Sequence, residues 1–255
     1  MKKNITRWIL PLAAVLPYMS ITQSCMKDNQ VDYELLMPNA IVTVKPAEGT
    51  PSFFLQLDDQ TTLEPVNMQS SPFGEDEVRA LVNYTETSEP SELYDKAVYI
   101  NWIEKVLTKE LVEDKGEEND NTYGNDPIEL ADSWVNIAED GYLTLQFLTR
   151  FGNTGIAHEV NLINAGTEED PYIVEFRHNA HGDYGTGYGS GIAAFRLDGL
   201  ESGLGLPDTQ GETVDLTLKY MSFSGEKSVT FKYCTRKATE DGGIDTQKSF
   251  DLKLK

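Results

Sequence analysis

The stretch "SWVNIAEDGYLTLQFLTRF", residues 133–151, decides the fold class. From Leu143 onward, Leu143, Leu145 and Phe147 alternate with Thr144 and Gln146, so an extended chain carries its apolar side chains on one side. A repeat of two is the mark of a half-buried strand, because successive side chains of a strand point to opposite faces. Asp140-Gly141, just ahead, is a pair that tolerates the backbone of a tight hairpin turn. The stretch therefore predicts two antiparallel strands joined at Asp140-Gly141.

The same repeat extends outward. Downstream, "AHEVNLIN", "PYIVEFRH", "GIAAFRLDGL", "ETVDLTLKYMSF" and "KSVTFKYCT" alternate in turn, with Val214, Leu216, Leu218 and Tyr220 on one face and Val229, Phe231 and Tyr233 on another. Seven strands with turn signals at short intervals read as an antiparallel β-sandwich over 128–237, followed by a polar tail, 238–255. Upstream, "AIVTVKP", "SFFLQLDD", "TTLEPVN", "EVRALVNYTE" and "KAVYINWIEKVLTKE" give five strands, the last ending in a helical turn, and five short strands suit a small barrel over 38–112. Between the two, 113–127 is rich in Asp, Glu, Asn and Gly, and reads as an acidic interdomain linker. As a calcium loop it fails: counted from Asn119, Leu130 stands where the bidentate glutamate belongs.

At the start, Lys2, Lys3 and Arg7 precede an apolar run from Trp8 to Ile21 broken by Pro11 and Pro17. The run is shorter than the roughly 20 residues of a spanning helix, so 1–24 reads as a signal peptide. Cys25 follows Ser24, and cleavage before a lipidated cysteine is expected there, with 25–37 a lipidated tether; Thr22 and Gln23 depart from the usual residues two and three before it. Two or three acyl chains, at about 0.8 kcal/mol per buried methylene, hold a protein on a membrane. Met26, rather than an aspartate, favours the outer membrane, on its periplasmic or surface face.

The chain of 255 residues carries 42 acidic and 21 basic side chains, a formal charge of −21. Such a surface repels phosphate backbones, which excludes nucleic acid as a partner and leaves a protein or carbohydrate. With Cys25 modified, only Cys234 remains, so no disulfide framework is expected; Cys234 reads as a packed thiol.

The densest group of chemistry-bearing residues is "RHNAHGDYGTGYGSG", residues 177–191. His178, His181 and Asp183 offer two imidazoles and a carboxylate, a donor set that suits zinc in a metal-dependent enzyme. The competing reading is a polar, glycine-rich loop that shows its histidines to solvent and presents Tyr184 and Tyr188 to a partner. That second reading is the one adopted: no metal, no cofactor and no catalytic residue is assigned. Trp102 and Trp134, in strand-like runs, are assigned to cores.

Taken together, "PNAIVTVKP", "FFLQLDDQTTLEP", "VRALVNYTE", "GEENDNTYGNDPIEL", "DSWVNIAEDGYLTLQF" and "GETVDLTLKYMSFSGEKSVTFKYCTRK" resemble the NigD-like lipoproteins of Bacteroidota, in order from Pro38 to Lys237. The resemblance implies an N-terminal OB-type barrel, a C-terminal β-sandwich, an outer-membrane lipoprotein, and a link to bacteriocin immunity or interbacterial competition. It supplies no catalytic residue. The expectation is an all-β, non-enzymatic binding or interaction module of the envelope.

Overall fold

The computed structural model describes residues 33–47, 52–152, 154–199 and 202–235. The expected signal peptide, Cys25 and the tail 238–255 lie outside the described residues. Five strands, β1 (Ala40–Pro46), β2 (Phe53–Gln56), β3 (Thr62–Pro65), β4 (Val78–Glu86) and β5 (Lys96–Lys105), close a barrel in the order β1-β2-β3-β5-β4. The alternation explains its filling: Val42, Val44, Leu55, Leu63, Ala80, Val82 and Val98 point inside. Residues 34–37, expected at the end of the tether, are held against the barrel instead. The Asn83 amide donates to the carbonyls of Glu34 (2.9 Å) and Met37 (2.6 Å), and the Trp102 indole N–H donates to that of Leu35 (2.7 Å).

Nine strands follow among the described residues, eight of them within 128–237, where seven were expected. They are β6 (Leu107–Glu110), β7 (Ile128–Leu130), β8 (Ile137–Glu139), β9 (Tyr142–Phe151), β10 (Glu159–Asn164), β11 (Ile173–Asn179), β12 (Gly187–Arg196), β13 (Val214–Ser222) and β14 (Gly225–Tyr233). One sheet runs β10-β11-β13-β14; the other runs β6-β12-β9-β7, with β8 also on β9. Two pairings, β6 with β12 and β11 with β13, are parallel, so the sandwich is not purely antiparallel. Leu143, Leu145, Phe147, Leu162, Phe176, Phe195, Leu216 and Leu218 fill the space between the sheets. The hairpin at Asp140-Gly141 forms as expected, with both residues at positive φ (48° and 75°).

The helical turn expected in 96–110 does not form; β5 passes to β6 through Val106 alone, whose N–H donates to the Arg79 carbonyl (2.9 Å). The chain thus enters the sandwich before 113–127. That segment carries α1 (Asn119–Tyr123) and packs on β11: Arg177 pairs with Asp120, and the Asp126 N–H donates to the His178 carbonyl (2.8 Å). Its short polar side chains are spent on local turns, with Asp114 Oδ1 accepting from Gly116 N–H and the Asn119 amide (both 2.8 Å).

A seam of buried charge joins barrel to sandwich. Arg79 of β4, wholly buried, donates to Thr43 Oγ1 (3.0 Å) and to Glu139 Oε1 (2.6 Å) beside the hairpin turn. Lys45 pairs with Asp140 (2.8 Å), and the Asp140 N–H donates to Asp59 Oδ1 (2.6 Å). Arg196 of β12 reaches Glu77 (2.9 Å) and the Tyr142 hydroxyl (3.1 Å). Ile41, Val106, Val135, Tyr142 and Ala194 form an apolar cluster around these pairs. Burial drives the Glu139 pKa up to about 7 although Arg79 pulls it down.

Candidate functional site

The opposite situation holds at the far end of the sandwich, where the strands leave space unfilled. Positions 187, 189 and 191 of β12 alternate toward the interior and all three are glycine. Their cross-strand partners are Phe151, Thr149 and Phe147, and the rings of Phe147 and Phe151 lie over the bare backbone; a Cβ at Gly191 would meet Phe147 at 2.7 Å. Aromatic rings laid across strand glycines leave the rest of the volume empty. The result is an open pocket of about 540 Å³ lined by Leu107, Phe147, Phe151, Ile156, Val160 and Ala193, with His158 and Asp183 at its polar end. That volume lies within the usual range of small-ligand sites.

The polar end is built by strand phase and one turn. His178 follows Val174 and Phe176 on the inward face of β11, and His158 precedes Val160 and Leu162 in phase with β10. Ala180 to Asp183 make a turn in which His181 (φ 50°) and Gly182 (φ 81°) are left-handed and the Asp183 N–H donates to the Ala180 carbonyl (2.9 Å). This turn separates the alternative zinc set. Asp183 is folded back under the pocket, whereas His181 is turned outward, its Nε2 3.5 Å from Glu159. His178, His181 and Asp183, weighed from sequence as that alternative, are therefore not brought together. Among the described residues no cluster of three or more His, Cys, Asp or Glu is placed to hold a metal.

His158 takes the place assigned to His181. Its Nδ1 lies 2.9 Å from His178 Nε2 and its Nε2 lies 3.3 Å from Asp183 Oδ2. His178 Nδ1 faces the Asp126 carbonyl (3.3 Å), which only accepts, so that nitrogen carries the His178 proton and Nε2 accepts from His158. His158 thus lies between two acceptors, His178 Nε2 and the Asp183 carboxylate. Burial lowers the His178 pKa, against an opposing pull from the Asp126 carbonyl. The Thr154 side chain, and more weakly its N–H (3.2 Å to Asp183 Oδ1), hold the Asp183 carboxyl below its ordinary value. The remaining polar lining groups are engaged too: Thr149 donates to the Pro127 carbonyl (3.0 Å), and Ser190 accepts from Gln146 (3.3 Å).

The two tyrosines chosen from sequence are exposed, Tyr184 at 67% and Tyr188 at 61%. Tyr184 donates to Asp126 Oδ1 (3.0 Å). Tyr188 sits on β12 rather than in a loop, edge-on to Phe223 and beside the Arg150 guanidinium. Cys234 is buried, as read from its strand. Trp134 is not a core residue: it is 44% exposed in the turn before β8, where Val135 takes the buried place, and Trp102 is half-buried. His158 was legible in principle, since it stands two residues before Val160 in the same phase.

Comparison with known proteins matches residues 41–106 to the NigD-like N-terminal OB domain and residues 110–233 to the NigD-like C-terminal β-sandwich domain. A crystal structure of a toxin-related protein from Parabacteroides distasonis is similar at 36% identity and TM-score 0.63, covering 85% of this chain and 98% of that one. A protein of unknown function from Bacteroides vulgatus shares the fold at 20% identity and TM-score 0.57, over 84% and 98% of the two chains. A NigD-like immunity protein from Bacteroides caccae does so at 20% identity and TM-score 0.53, over 76% and 96%. No curated protein matches the chain.

Proposed function

The chain belongs to the NigD-like family, and from that premise we propose that it is a non-enzymatic binding protein of the cell envelope, carried on a lipid at Cys25 and active in immunity or interbacterial competition. One observation carries the binding reading. The pocket at the end of the sandwich is open and mainly apolar, and each polar side chain on its wall already engages another group of the chain. A wall of that kind receives a partner's apolar surface; a reaction centre needs a nucleophile or base with a free position toward the substrate. The immunity reading draws on the name of the Bacteroides caccae neighbour and the toxin-related description of the Parabacteroides distasonis one.

The test is survival. A bacteriocin-sensitive Bacteroidota host expressing the full chain, or its Cys25→Ser variant, is challenged with producer-strain supernatants, and the mature N-terminus is read by mass spectrometry. The expected result is a diacylated Cys25 and a clear survival gain that Cys25→Ser loses. An unmodified N-terminus overturns the anchor; no gain against any producer overturns the immunity role. Stoichiometric metal in the purified protein, lost in His158→Ala, would favour an enzyme instead.

A further inference from the structure

The mouth of the pocket is also the one stretch of β12 that lacks a second neighbour among the described strands. β9 accompanies β12 along its whole length, Gly187 to Arg196, but β6 covers the other edge only from Ala193 to Arg196. The register tells which groups the gap leaves open. The Leu197 N–H donates to the Gly141 carbonyl (2.8 Å), which makes that pair a hydrogen-bonded one. In an antiparallel ladder such pairs alternate with non-bonded ones. Counting back along the unbroken register, Gly187, Gly189 and Gly191 bond to β9, whereas Tyr188 and Ser190 direct both N–H and C=O away from it, over the pocket.

Two features thus coincide: a free strand edge about 17 Å long at 3.3 Å per residue, and beneath it an apolar cavity whose roof is glycine. An uncovered edge is a template for another strand, and natural edges are ordinarily blunted by a proline, a bulge or an inward charge. Residues 187–191 have none of these. We infer that this edge takes up an extended peptide segment of a partner protein, which adds a strand where β6 stops, pairs with Tyr188 and Ser190, and drops alternate apolar side chains into the pocket.

This rests on the partner-binding reading above. It also specifies the chemistry of the segment: apolar residues at alternate positions, because every second side chain of an added strand faces the cavity, and a net positive charge, because the chain bears −21. The partner need present no helix and no anion.

The probe is a seven-residue synthetic peptide of alternating leucine and threonine flanked by lysines, titrated into the full chain. Its control has the same composition with the leucines adjacent. Ser190→Pro removes an N–H that bonds to nothing in the β9 ladder, and edge strands accept proline at such positions; Ser190→Ala keeps the N–H. The expected result is binding of the alternating peptide, weaker by about tenfold or more (~1.4 kcal/mol) for the scrambled peptide and for Ser190→Pro, unchanged for Ser190→Ala, with amide shifts at Tyr188 and Ser190. Equal binding of both peptides, or saturation without movement of those two amides, overturns the inference, and the amide readout stands even if Ser190→Pro folds poorly. A native partner that binds wild type and Ser190→Pro alike would leave the partner-binding reading intact and refute this one.

Discussion

The two ends of the sandwich solve opposite problems with the same strands. At the seam β12 presents Arg196 and Ala194, both buried, and closes against the barrel through an Arg196–Glu77 ion pair and the apolar cluster around it. At the mouth the same strand presents three glycines beneath the Phe147 and Phe151 rings, and its outer edge pairs with no described strand. Burying a charge is costly unless its partner is held in place, so the seam is an arrangement that tolerates little change. A glycine-roofed pocket forgoes packing energy and keeps a surface for something else. The difference teaches where stability resides in this molecule and where binding does.

Four experiments break or sharpen that contrast. Arg79→Met should have the largest effect: it strands Glu139 in a buried site, and losses of about 3–5 kcal/mol are usual for such a removal. Urea unfolding would show it, and Arg79→Met combined with Glu139→Leu should recover much of the loss. Next is the pH response, which should differ in sign between the ends. Glu139 has a folded pKa raised from 4.5 to about 7, so its contribution is complete below 4.5 and is lost as pH rises through about 7, a swing of the order of 3 kcal/mol. His178 has a lowered folded pKa, so its contribution is present above 6.5 and is lost as pH falls. Glu139→Gln should flatten the first limb and His178→Gln the second, each read from melting temperature against pH.

Gly191→Val comes third. It drives a side chain into the Phe147 ring and should cost about 1–3 kcal/mol while shrinking the pocket, measurable by thermal melting and by loss of probe-peptide binding. Trp134→Ser, at an exposed position, should change stability by less than about 0.5 kcal/mol in the same melts.

Much of the fold was legible because burial in a sheet writes itself into the sequence at a repeat of two. Leu143, Leu145 and Phe147 fall in the core as their spacing requires, and Asp140-Gly141 makes the turn. What was hidden has a common physical cause, pairing between distant residues. Arg79 and Glu139 look like ordinary outward charges of two strands until the barrel and hairpin meet. β6 and β5 read as one segment because Val106 is in phase with neither gap nor turn residue. The segment 113–127 looked like a linker because polar turn residues resemble solvent-exposed ones. At the site, the alternative zinc set drew on the right loop but on His181 where the fold brings in His158: the left-handed turn at His181-Gly182 reverses the chain, and His158, 20 residues before His178, was legible only through its phase with Val160.

The central claim is that a sealed seam and an open mouth lie on one strand, and amide hydrogen exchange of the free chain tests it most directly. Along β12 the account predicts slow exchange at Gly189 and Gly191, whose N–H groups bond to β9, fast exchange at Tyr188 and Ser190, and slow exchange at Ala194, where β6 covers the edge. Uniformly slow exchange from Gly187 to Gly191 would mean that the edge is already occupied, and would contradict it.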